Sequence, residues 1–315
     1  MSASNLLPGD HAAVAIHSID HFALTVPDLE AAEHFFSSFG LDVCRDAHGL
    51  ELRATDGHRW GRIFKGERKA LAYLSVSCFE RDFASLRQQL EVAGAVGADR
   101  PPQALGDGGV WFRDLDGNLL ELKVGPKTTP FAKEPNPWIN VPSNVRGSPN
   151  RAATAIVKPR RLSHVLLFTP DVSRALEFYR RGLGVRLSDR SQDIIAFSHA
   201  PHGSDHHLIA FVKSSAKGWH HSAWEVDGVD EVGLGAAQMS RAGYHEGWGT
   251  GRHVLGSNYF HYVRDPWGSF SEYSAHIDYV DAGVEWPAGD HAPEDSLYLW
   301  GPDVPPYFIV NTEID

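Results

Sequence analysis

Apolar and polar positions along the chain fall into a cycle of short strands and helices that runs four times. Residues 16–26 alternate and predict a strand; Pro27-Asp28 then supplies a helix cap. Leu29, Ala32, Phe36 and Phe39 recur at helical spacing, Gly40 ends that helix, and Leu41-Asp42-Val43 opens another strand. A second unit begins with a strand over 70–76 and a helix over 83–93 that stops at Gly94. A third has a strand over 162–169, a cap at Pro170-Asp171, and a helix with Leu176, Phe178 and Tyr179 that Gly182 and Gly184 end. The fourth has a strand over 219–226 and a helix over 229–241 that ends near Gly243.

The four units are paired in an internal repeat. His21 and Asp28 recur 143 residues on as His164 and Asp171. Further along, Phe112-Arg113-Asp114-Leu115-Asp116-Gly117 matches Val263-Arg264-Asp265-Pro266-Trp267-Gly268, and Arg113 and Glu121 recur 151 residues on as Arg264 and Glu272. Two motifs in the same order with nearly the same offset argue for duplication rather than chance. The expected fold class is α+β: two tandem domains, each of two βαβββ modules. The expected boundaries are an N-terminal arm over 1–14, a first domain over 15–125, and a linker over 126–159 rich in Pro, Asn and Ser. A second domain over 160–285 and a tail over 286–315 follow, the tail folding back over the second domain or a neighbouring subunit.

The richest stretch runs from Gly251-Arg252-His253 to Glu272-Tyr273. Residues 259–263 roughly alternate, Asp265-Pro266-Trp267-Gly268 reads as a turn, and residues 270–273 as the returning strand. The hairpin carries Tyr262 on one arm and Glu272 on the other. A glutamate on an inward strand face is costly unless paired or bound to a metal. His164 and His221 are candidates to share such a metal.

Composition narrows the classes. The net charge of −11 argues against a nucleic-acid backbone as partner. No apolar run reaches the roughly 20 residues of a membrane span, and the start lacks the basic and apolar regions of a signal peptide. Cys44 and Cys78 lack the number and spacing of a disulfide framework or metal site; they are expected as reduced core residues of a cytoplasmic protein. Of 18 histidines, six precede residue 150 and twelve follow residue 160, which places the chemistry in the second half.

Paired βαβββ modules, a histidine on each of two strands, and the string GRH…SNYF…Y-x-RDP-x-G…EY resemble the two-domain type I extradiol ring-cleaving dioxygenases of the vicinal oxygen chelate superfamily. The resemblance covers about residues 15–285. It implies His164, His221 and Glu272 as metal ligands, the second histidine of each His-His pair being favoured over His206 and His220. His207 is implied as the active-site acid and base, and His253 and Tyr262 as groups that orient the diol. Arg252 is a candidate clamp for an anionic ring substituent, pairing with a surface carboxylate being the equal alternative, and His202 is expected as a structural or surface residue, with the pocket border as the alternative. In the first half His21 and Glu121 persist, but Tyr73-Leu74-Ser75-Val76 stands in the second-ligand region, so one metal per chain is expected.

Two imidazoles and one carboxylate on one face of a metal leave three positions open, the mark of non-haem iron(II) oxygenases. The resemblance therefore implies Fe(2+), with Mn(2+) as the alternative. It implies a catecholic substrate and O2, ring opening to a muconic semialdehyde in the degradation of aromatic compounds, and a homo-oligomer of four subunits or more. Catechol, alkylcatechols, 2,3-dihydroxybiphenyl, homoprotocatechuate and trihydroxytoluene-type rings all suit it. The competing readings are a glyoxalase-type isomerase or lyase of the same superfamily and a metal-free binding protein of the same fold.

Overall fold

The computed structural model describes residues 13–104, 106, 108–135 and 141–314. Most of the expected N-terminal arm (1–12) and the linker stretch 136–140 lie outside the described residues.

The first half forms one sheet from β1 (Ile16–Val26), β2 (Asp42–Arg45), β3 (Gly49–Arg53), β4 (Arg59–Lys65), β5 (Ala70–Cys78), β6 (Val96–Gly97), β7 (Val110–Arg113) and β8 (Leu119–Val124). Its order is β2-β3-β4-β1-β5-β8-β7-β6. Helix α1 (Leu29–Ser38) follows β1, and α2 (Glu80–Ala93) follows β5. The second half repeats the plan with β9 (Arg161–Thr169), α3 (Val172–Leu183), β10 (Arg186–Ser191), β11 (Ile195–His199), the short β12 (Ser204–Asp205) and β13 (Ile209–Lys213). Then come β14 (Gly218–Glu225), α4 (Val229–Arg241), β15 (Gly247–His253), β16 (Tyr259–Arg264) and β17 (Phe270–Ala275). Its order, β10-β11-β13-β9-β14-β17-β16-β15, is that of the first sheet.

The repeat is visible in local chemistry. Asp28 caps α1 by accepting from the backbone N–H of Glu30 and Ala31, and Asp171 caps α3 through Arg174 N–H at 2.9 Å. Asp114 and Asp265 each accept two backbone N–H groups of the turn that follows, so the two hairpins close by the same device.

The halves share one continuous core. Phe22 of the first sheet lies 4.8 Å from the Trp219 ring, and Phe39 stacks on Tyr273 at 3.9 Å while Tyr273 donates to the Phe39 carbonyl. Three local expectations change. Helix α2 begins at Glu80 rather than near residue 83. Gly182 does not end α3 but lies inside it, where an added Cβ would sit 3.0 Å from Leu90 of α2; the close helix crossing needs the missing side chain, and Gly184 at φ +73° makes the cap. Cys78 is buried, but Cys44 is exposed because the short edge strand β2 has little packed over it.

The tail folds back along the second half. Its strands β18 (Tyr279–Val280), β19 (Gly289–Asp290) and β20 (Tyr298–Trp300) pair with β12, β10 and β15 respectively. Helix α5 (Pro293–Ser296) lies between the last two, and Phe308 beyond them packs against Trp248, Tyr262 and Phe270. Glu313 near the end pairs with the buried Lys69 of the first half at 2.7 Å.

Candidate metal centre and its cavity

Three neighbouring strands place the candidate ligands. In the ladder, Ala223 of β14 stands between His164 of β9 and Glu272 of β17. His221 lies two residues before Ala223 and therefore shares its face. Ala223 carries only a methyl group, so the three longer side chains converge above it. His164 Nε2 and His221 Nε2 lie 3.3 and 3.5 Å from Glu272 Oε2, and all three side chains are buried. Among the described residues this is the one group of three such side chains whose donor atoms lie within 4.8 Å of one another. Among the described residues, His221 Nε2 and Glu272 Oε2 have no hydrogen-bond partner. A buried carboxylate oxygen and a buried imidazole nitrogen left unsatisfied are costly, and a divalent cation would satisfy both.

Groups behind the ligands set their tautomers. Ser163 donates to Asp205, so its oxygen accepts from His164 Nδ1–H at 3.2 Å, leaving the Nε2 lone pair toward the centre. Asp205 is itself held by a two-pronged contact from Arg161. His220 must donate its Nε2–H to the Phe308 carbonyl at 2.8 Å. Burial lowers the His220 pKa to about 3, so the ring is neutral and its Nδ1 accepts from His221 Nδ1–H at 2.7 Å. That again leaves Nε2 of His221 free to bind metal. Asn258 donates to Glu272 Oε1 at 3.0 Å, holding the carboxylate.

The centre opens into a cavity of about 180 Å³. An apolar cavity of about 150 Å³ suffices for a benzene ring. Its walls include Ile195, Phe197, Val212, Leu255, Trp248 and Phe308, and none of the described lining residues is Lys, Arg, Asp or Glu. His207, His253 and Tyr262 all line it. The His207 ring centroid lies 4.0 Å from that of His164; burial and the neighbouring His164 depress its pKa well below the ordinary value. His253 donates Nδ1–H to the Leu297 carbonyl at 2.7 Å, and its pKa is lowered by burial. Its Nε2 therefore accepts from Tyr262 O–H at 2.9 Å, which leaves the Tyr262 oxygen lone pairs for a ligand. Burial raises the Tyr262 hydroxyl well above its usual range, Glu272 adding to the effect.

One expectation changes here. Arg252 does not reach the cavity: alternation along β15 turns it away from the His253 side, where it donates to the Ser257 carbonyl and lies over the Tyr259 ring. His202 packs against Phe79 and lies 3.3 Å from Asp82 at α2, a structural position rather than one on the pocket border. Ser163, Asn258 and the tail residues Leu297 and Phe308 were not singled out from the sequence. Asn258 stands in the quoted SNYF string, but the tail gives no signal short of the folded chain.

In the first half, His21, Ser75 and Glu121 form the same row on β1, β5 and β8, with Tyr73 in the place of His221. Tyr73 meets His21 Nε2 at 3.0 Å, and Ser75 donates to Glu121 at 2.6 Å. The polar groups satisfy one another where the second half leaves them open.

The family model described as the Glyoxalase/Bleomycin resistance protein/Dioxygenase superfamily matches residues 161–273. The chain is 63% identical to Metapyrocatechase 2 of Cupriavidus necator over 299 residues, 95% of this chain and 93% of the relative. It is 26% identical to an iron-dependent extradiol dioxygenase of Rhodococcus jostii, over 92% of this chain and 98% of the relative. Among solved structures, the Mn(II)-bound glyoxalase of Novosphingobium aromaticivorans superposes with a TM-score of 0.74 at 24% identity, covering 93% of this chain and 94% of that one. That likeness speaks for the fold alone.

Proposed function

We propose, from the premise that the chain belongs to the extradiol ring-cleaving dioxygenases of the vicinal oxygen chelate superfamily, that it opens a catecholic ring next to its diol. The carbon–carbon bond beside a hydroxylated carbon breaks, both atoms of O2 enter the product, and a muconic semialdehyde results. The observation that carries this reading is the buried trio His164, His221 and Glu272, in which His221 Nε2 and Glu272 Oε2 are unsatisfied among the described residues and the two histidines line a ring-sized apolar cavity. An Fe(2+) or Mn(2+) ion held by these three would keep diol and dioxygen adjacent and offset the negative charge of the diol.

The chain's own residues do the rest. Neutral His207 accepts a proton from the diol and returns one as the ring opens. Tyr262, oriented by His253, offers its oxygen to a diol hydroxyl and fixes the ring's direction. The apolar walls exclude water from the reacting face. With no Lys or Arg among the described residues that line the cavity, the reading favours a ring whose substituent is uncharged, such as an alkylcatechol, over one bearing a carboxylate. The catalytic work falls to the second half, and the first half is metal-free. The free cysteines Cys44 and Cys78 support a reducing, cytoplasmic setting. Exposed Leu299, Trp300, Ile309 and Val310 in the tail support contact with a second copy in a homo-oligomer.

The test is oxygen uptake by anaerobically purified, iron(II)-loaded protein with catechol, alkylcatechols, 2,3-dihydroxybiphenyl and homoprotocatechuate. One O2 consumed per yellow semialdehyde formed is expected, with the alkylcatechols ahead of homoprotocatechuate. Bound metal with no uptake on any diol would overturn the reading in favour of an isomerase on the same fold.

A further inference from the structure

The His220-His221 pair sets the tautomer of a candidate ligand, and the chain contains a second His-His pair, His206-His207, at the same cavity. His206 is fully buried; its Nδ1 lies 3.0 Å from His207 Nδ1 and its Nε2 lies 2.8 Å from Asp189 Oδ2. Asp189 sits on β10, outside every motif recognised in the sequence. Besides His206, its carboxylate receives His291 Nε2 at 2.8 Å, Trp286 Nε1–H at 3.2 Å and Gly289 N–H at 2.8 Å. All three belong to the returning tail, and Gly289 pairs with Asp189 in the β10–β19 ladder.

We propose that Asp189 and His206 are positioning residues that set the tautomer of His207, so that His207 presents an unprotonated Nε2 to the cavity. A carboxylate surrounded by four donors is an ionised acceptor, so His206 gives it Nε2–H. With its proton at Nε2, the His206 ring keeps a lone pair at Nδ1, and His207 Nδ1–H completes the 3.0 Å contact. The proton on Nδ1 of His207 leaves Nε2 as the acceptor. The donor chain runs in one direction, from His207 through His206 to Asp189, and the tail holds its far end. The significance for turnover rests on the role given to His207 above; the tautomer itself does not.

Long-range proton–nitrogen NMR of histidine-labelled, full-length protein loaded with zinc(II), a diamagnetic ion, reads the tautomers directly. The expected spectrum has His206 protonated at Nε2 and His207 at Nδ1. Asp189→Asn can turn its amide N–H toward His206 and reverse both tautomers. In the iron-loaded enzyme it should lower kcat at least about 100-fold with little change in KM for the diol. Asp189→Glu, which keeps the charge, should keep the wild-type tautomers and recover much of kcat. Wild-type protein with His206 protonated at Nδ1 overturns the proposal, as does an Asn variant with unaltered tautomers and kcat. If the Asn variant does not fold, the wild-type spectrum decides. If the wild type consumes no diol, the dioxygenase reading fails while the spectrum still tests the tautomers.

Discussion

Two side chains separate the candidate metal centre of the second half from the matching row of the first. In the second half, His221 supplies a nitrogen and Ala223 leaves space between His164 and Glu272. In the first half, Tyr73 replaces the nitrogen with a hydroxyl whose pKa burial pushes upward, and Ser75 ties up Glu121. A neutral phenol is a poor ligand, so His21 and Glu121 remain as a self-contained polar cluster. Tyr73→His restores the third donor. It is expected to raise bound zinc or iron above one ion per chain, as counted by elemental analysis after dialysis. A stoichiometry unchanged at one would mean that Ser75 or the His21–Asp20 contact at 2.7 Å holds the site shut.

At the scale of elements, the hairpins of the second sheet do the positioning. Tyr262 of β16 stands directly opposite Glu272 of β17, and β15 brings His253 to the same cavity. Alternation explains why Glu272 faces His164 and His221 while Tyr273 reaches the interface between halves, and why Arg252 turns away from the cavity. The pairing of β15 with β16 depends on Gly247, where an added Cβ would lie 2.0 Å from the Tyr262 carbonyl oxygen. Gly247→Ala is expected to cost about 1–3 kcal/mol or more in stability, because backbone rather than a flexible side chain must move. Thermal midpoints would check this against Glu246→Ala next to it, where loss of an exposed pair costs at most about 1 kcal/mol.

At the scale of the whole molecule, burial of histidines makes stability depend on pH. The pKa of His17 falls from 6.5 to about 3 and that of His199 from 6.5 to about 4, each chiefly through burial. Below pH 6.5 the unfolded chain takes up protons at these rings while the folded chain does not. Their contribution is therefore complete above pH 6.5 and declines as pH falls toward 4, by up to about 1.4 kcal/mol per unit for each ring. Thermal midpoints should drop steadily between pH 7 and pH 5, and a flat profile would contradict this assignment. The tail matters at this scale as well, since Leu297, Phe308 and Asp189's partners reach the site from residues 286–308.

What the sequence determined by itself was whatever local periodicity and duplication encode. Helices α1 and α3 appear where apolar residues recur at helical spacing behind an aspartate cap. The repeated RDxxG turns and the Tyr262–Glu272 hairpin were legible too, and with them the candidate ligand trio. Only the tertiary structure decided which neighbour each side chain meets. Arg252 read as a candidate anion clamp until alternation along β15 turned it away from the cavity. Cys44 read as core until its strand fell at an edge. Ser163, Asn258, Asp189 and the tail gained meaning only when strands far apart in sequence came into register, because hydrogen-bond direction is a property of that register and leaves no trace in the periodicity of a single strand.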